Sequence, residues 1–155
     1  MNATVKEILV TAKAGDNLYA IEVANLISGK GIEGDRYFNS LGTFTQALQE
    51  SKDFEVTLIE QEEIAAFNKT TQLNYPNQKF RRNIVTQGVK LNDLVGKEIS
   101  IGQARLKVIR LCEPCAYLTE LLGQAVMDHL VHKAGIRAVI IASGQVKAGD
   151  SLQVL

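Results

Sequence analysis

Glu98-Ile99-Ser100-Ile101-Gly102-Gln103-Ala104-Arg105-Leu106-Lys107-Val108-Ile109-Arg110-Leu111 holds two strand-like runs around one tight connection. In the second run Ala104, Leu106 and Val108 alternate with Arg105 and Lys107. Period-2 alternation is the signature of a half-buried strand, and Gly102-Gln103 sits where a tight turn falls. Outward from this pair, further strands are expected at 5–11, 19–23, 55–59, 80–86, 136–142 and 151–155. Helical spacing occurs in two places only: 60–68, with Ile64, Ala65 and Phe67, and 114–134, broken near Gly123. Eight short strands with two helical regions predict a mainly β, barrel-like domain, not a regular βαβ wind.

The chain has 155 residues and only two prolines, Pro76 and Pro114. No repeat or low-complexity linker interrupts it, so one domain over residues 1–155 is expected, within the usual range of roughly 100–200 residues per domain. Hydrophobic residues make up 46% and charged residues 22%, which argues against disorder. Seventeen basic side chains balance seventeen acidic ones, which excludes a chain-wide nucleic-acid footprint. No apolar run has a membrane-spanning length and the N-terminal residues lack signal-peptide order, so the expectation is a cytoplasmic protein with no membrane partner. Charge is uneven along the chain. Residues 79–110 carry eight basic and two acidic side chains, and this block ends just before the cysteine pair. It is either an anion-attracting surface near the thiols or the solvated face of two strands.

Cys112-Glu113-Pro114-Cys115 stands between a strand-like run and a helical pattern. Pro114 suits a first helical position, which would put Cys115 in the first turn, where partial positive charge favours a thiolate. The same two cysteines also read as packing residues, as a redox pair, or, with His129 and His132, as zinc ligands. On a strand over 80–86, Arg81 and Asn83 would point the same way and make a convergent donor pair for an oxyanion, with Arg82 on the opposite, more apolar face. Gly31-Ile32-Glu33-Gly34-Asp35-Arg36 reads by itself as a tight turn.

In order, Gly31 to Arg36, Arg81-Arg82-Asn83-Ile84-Val85-Thr86-Gln87-Gly88, Cys112 to Cys115, Gly135-Ile136-Arg137-Ala138 and Gly149-Asp150 resemble the MOSC domain family, named for the C-terminal domain of molybdenum cofactor sulfurases. The resemblance implies a closed, mostly antiparallel β-barrel of the MOSC and pyruvate-kinase-barrel type, with a few peripheral helices. It implies molybdenum cofactor (molybdopterin) or a related pterin as ligand, and Cys115 as the thiol that carries sulfur as a persulfide or ligates molybdenum. Arg81 and Asn83 correspond to the family's Arg-x-Asn and would anchor the pterin phosphate, with Arg82 beside them and Asp35 and Arg36 at the mouth of the site. Cys112 would be a resolving thiol or a packing residue. A cysteine desulfurase-like sulfur donor or a redox partner is implied, since no pyridoxal phosphate site is evident. The alternatives are a molybdenum-dependent reductase of N-hydroxylated compounds with a separate electron donor, and a non-catalytic binding module with structural cysteines.

Overall fold

The computed structural model describes residues 2–38, 55–114, 116–124 and 128–155. Their strands are β1 (Thr4–Val10), β2 (Tyr19–Ile21), β3 (Val23–Ile27), β4 (Gly31–Ile32), β5 (Val56–Glu60), β6 (Ile84–Gln87), β7 (Glu98–Ile101), β8 (Ala104–Leu111), β9 (Ile136–Ala142), β10 (Gly144–Lys147) and β11 (Leu152–Val154). Helix α1 spans Gln61–Thr71 and α2 spans Ala116–Leu122, with short 3-10 turns at Asn77–Phe80 and Leu91–Leu94. None of the described helices is long and apolar enough to cross a membrane.

Eight strands form one sheet in the order β11-β7-β8-β9-β5-β6-β1-β2, and β10-β3-β4 form a second. The expectation of a closed barrel is therefore corrected to a mainly β, open-sheet fold. The reason lies in how the chain leaves its edge. β2 is three residues long, and the next strand, β3, pairs with β10 and β4 in the small sheet rather than extending the large one. Between the first and last strands, β1 and β11, the link is one isolated bridge, Thr4 with Ser151, and the flanking backbone bonds from Val5 N–H to the Asp150 carbonyl (2.8 Å), from Gly149 N–H to the Val5 carbonyl (2.7 Å) and from Leu152 N–H to the Ala3 carbonyl (2.9 Å). Pairing is antiparallel except between β5 and β6, which run parallel on either side of α1.

The hairpin read from sequence is present: Ile101 pairs with Ala104 across Gly102-Gln103. Ala104, Leu106 and Val108 are buried while Arg105 is exposed. The central strands are buried on both faces, as expected where a sheet is covered twice. Ile8 and Val10, Val56 and Leu58, and Ile84 face a core shared with Ala24, Leu26, Ile32 and Val146 of the small sheet. Their neighbours Leu9, Ile59 and Val85 face a second core, built with Ile64 and Phe67 of α1, Phe80, and Leu118 and Leu122 of α2. Helix α2 stops at the expected break: Gly123 has φ +91° and donates its N–H to the Thr119 carbonyl.

Two expectations about stability follow. Gly135 has φ +99°, and a Cβ there would lie 2.0 Å from the Leu58 carbonyl oxygen on the neighbouring strand. Gly135→Ala should cost about 3 kcal/mol or more, lowering Tm by roughly 6–12 °C in a thermal melt. The second concerns Glu60, whose buried carboxylate accepts the Leu91 N–H (3.2 Å). Burial outweighs that bond and raises its pKa above the ordinary value. The folded chain thus holds this proton to higher pH than the unfolded chain, so the group's contribution is present in acid and lost as pH rises through the folded value. Glu60→Gln keeps the acceptor without the charge. The stability of the native sequence relative to this variant, measured by urea unfolding, should therefore fall as pH rises above the ordinary carboxylate value.

Candidate functional site

Arg81 closes the Asn77–Phe80 turn in a left-handed conformation, with φ +61°. The strand expected over 80–86 begins only at Ile84, so the period-2 pairing of Arg81 with Asn83 does not apply and is corrected. The buried Arg81 side chain donates from Nη1 to the Asp16 carbonyl at 2.7 Å. It lines a cleft of about 270 Å³ together with Gly15, Asn17, Gln78, Lys79 and Leu121. Among the described residues lining it there are two cations and no carboxylate.

Asn83 turns inward instead. Its Nδ2 donates to the Leu9 carbonyl (3.1 Å), and its Oδ1 accepts from the backbone N–H (3.1 Å) and the hydroxyl (3.2 Å) of Thr57. Its own N–H donates to Thr57 Oγ1 (3.0 Å), and its carbonyl accepts the Leu9 N–H (2.6 Å). The residue is wholly buried and its polar groups splice β1 to β5. A buried amide costs free energy unless it is bonded in this way.

Arg82 holds the cysteine segment. Nε donates to the Ala134 carbonyl (2.8 Å), and Nη2 donates to the Cys112 carbonyl (3.0 Å) with a longer contact to Glu113 (3.5 Å). Cys112 is buried, and its N–H donates to the Gly135 carbonyl (2.8 Å), extending the β8–β9 ladder past the Leu111–Ile136 pair. Cys115 lies outside the described residues.

The 31–36 loop reaches the same place. Asp35 Oδ1 accepts the Thr11 N–H (3.2 Å) and an Arg36 Nη1–H (3.1 Å). Arg36 Nη2 donates to the Arg81 carbonyl (3.2 Å), and its guanidinium stacks over the Tyr37 ring at 4.5 Å. Arg137 approaches that ring at 5.8 Å. Four buried guanidiniums, those of Arg36, Arg81, Arg82 and Arg137, thus gather where the sequence motifs converge.

Arg137 stands in the Gly135–Ala138 motif, but no site role was expected of it from the sequence. The available signal was a cation near the start of the otherwise apolar run Ile136-Arg137-Ala138-Val139-Ile140. The two histidines face different partners. His129 lies edge-on to Phe67, and His132 Nδ1 meets Glu113 Oε2 at 2.5 Å. Among the described residues no three His, Cys, Asp or Glu side chains gather at metal-binding distance.

A family model described as the MOSC domain matches residues 32–153. Among solved structures, YuaD from Bacillus subtilis superposes with a TM-score of 0.83 at 18% identity, covering 99% of this chain and 96% of that one. YiiM from Escherichia coli follows with 0.71 at 19% identity, covering 100% and 70%. YiiM from Geobacillus stearothermophilus gives 0.69 at 13% identity, covering 99% and 75%. At these identities the likeness is one of fold. No curated protein sequence matches the chain. The family model spans most of the sequence, and its span takes in the arginine, cysteine and Gly135–Ala138 segments that the fold brings together: the chain belongs to the MOSC domain family.

Proposed function

We propose that this protein carries sulfur as a persulfide on Cys115 and holds the phosphate-bearing end of a molybdenum cofactor or related pterin in the cleft beside Arg81. The observation that carries the reading is the gathering of four buried guanidiniums around the strand end that leads into the Cys112–Cys115 segment. A positive field favours a thiolate over a thiol, and a thiolate is the form that attacks sulfur or binds a soft metal.

In the proposed transfer, the Cys115 thiolate attacks the outer sulfur of a donor persulfide, such as that of a cysteine desulfurase. A new S–S bond forms on Cys115, the donor's S–S bond breaks, and the donor sulfur leaves as a thiolate, with no net oxidation. Lys79 and Arg81 would grip a phosphate in the cleft, with Gln78 and Asn17 as neutral donors. The residues fit the anionic end of such a group because cations and amides line the cleft. When bound, the cofactor supplies a molybdenum centre that a soft thiolate can ligate. Asn83 serves the frame in this reading, and Asp35 orients Arg36.

After incubation with a cysteine desulfurase and cysteine, intact mass spectrometry should show a gain of one sulfur atom that Cys115→Ser abolishes. Sulfur loading that survives this substitution, or stoichiometric molybdenum without loading, would contradict the carrier reading. The latter result would favour the reductase. Lys79→Ala with Arg81→Ala should weaken binding of a pterin phosphate by at least tenfold, since hydrogen bonds to charged groups contribute about 1.5–3 kcal/mol each. Unchanged affinity in isothermal titration would remove the cleft from the site.

A further inference from the structure

Glu113, between the two cysteines, grips His132 at two points. Oε1 accepts the His132 backbone N–H at 2.6 Å, and Oε2 meets Nδ1 at 2.5 Å. The two residues are 19 apart in sequence, so this grip closes the neck of the long β8–β9 connection that carries Cys115 and α2. It lies just beyond the last backbone pairings of β8 with β9, Leu111 with Ile136 and the Cys112 N–H on the Gly135 carbonyl. Asn92 Nδ2 fixes the far side by donating to the His132 carbonyl at 2.7 Å.

As an ion pair this contact is worth little, because the side chains are 70% and 41% exposed. The backbone makes it informative. His132 has φ +63°, a left-handed conformation that is strained for a non-glycine residue. Glycine would adopt the turn without that cost, but it would present no imidazole to Glu113. Strain retained at an exposed turn points to a use for the side chain.

We propose that Glu113 and His132 are positioning residues that close the neck of this connection and thereby set the rate at which Cys115 accepts sulfur. The inference rests on the reading of Cys115 as the carrier thiol. Arg82 grips the same segment from the buried side, through Cys112, Glu113 and Ala134, so the neck is held from within and from without.

The test is sulfur loading of the full chain, followed by mass spectrometry over time with Tm measured in parallel. Glu113→Ala should load at least tenfold more slowly to the same final one-sulfur mass. Glu113→Gln keeps an acceptor for the His132 N–H and should restore most of the rate. His132→Gly removes the imidazole and relieves the left-handed strain, so it should load more slowly at unchanged or higher Tm. Equal rates in Glu113→Ala, His132→Gly and the native chain would overturn the inference, as would slowing that only follows loss of folded protein. If the native chain takes up no sulfur, the carrier reading fails, and the neck is judged by iodoacetamide alkylation of Cys115. There, a tenfold change in Glu113→Ala reversed in Glu113→Gln keeps the positioning role, and identical rates remove it.

Discussion

Arg82 donates from Nε to the Ala134 carbonyl and from Nη2 to the carbonyls of Cys112 and Glu113, and it stands two residues before β6. Three chain segments far apart in sequence are therefore tied to one buried guanidinium. Buried charge is costly unless its donors are met, and removing one partner leaves the rest exposed to that cost. The next residue, Asn83, performs the same kind of task for β1 and β5 with a neutral amide. The end of the sheet where the cysteine segment emerges is thus set by two adjacent polar side chains rather than by apolar packing alone. That constraint brings the 31–36 loop, the arginine pair and the Gly135–Ala138 strand start to one place.

The sheet supplies rigidity behind this arrangement. β5 and β6 are buried on both faces, with one core shared with the small sheet and another with the helices. Gly135 lets β9 approach the Leu58 carbonyl too closely for any side chain. Carboxylates are also buried in this frame. Glu55 accepts the N–H groups of Gly29 and Ile140, yet burial still raises its pKa, as it does for Glu60. Such groups favour the fold in acid and oppose it as they ionise.

The sequence made the large sheet legible where strands alternate cleanly, as in β7 and β8, and where a helix has a periodic apolar face, as in α1. The small sheet was not legible. β3 has Asn25 at its centre, β4 is two residues long, and β10 opens with Gly144. Their burial comes from tertiary packing of single residues such as Ala24, Ile32 and Val146, which leaves no period to read. Closure could not be read either, because counting strands does not say which edges pair. In the site, the order of motifs gave the family while the roles stayed hidden. The Arg81-Arg82-Asn83 run looks like a strand because it precedes one. Only the left-handed Arg81 separates the side chain that reaches the cleft from the two that hold the frame. The Glu113–His132 grip depends on contacts across the chain and had no local pattern, whereas Arg137 carried only the signal of a cation within an apolar run.

In the proposed function the two cysteines, three residues apart, have opposite fates, Cys112 in the frame and Cys115 in the chemistry. The direct measurement is the alkylation rate of each thiol in the native protein, read by peptide mass spectrometry with iodoacetamide below the ordinary thiol titration range. Buried Cys112 should react only as the protein unfolds, while Cys115 should react many times faster than in the urea-unfolded chain. If Cys115 is no faster than in the unfolded chain, or if Cys112 is modified first, the assignment of the reactive thiol is wrong.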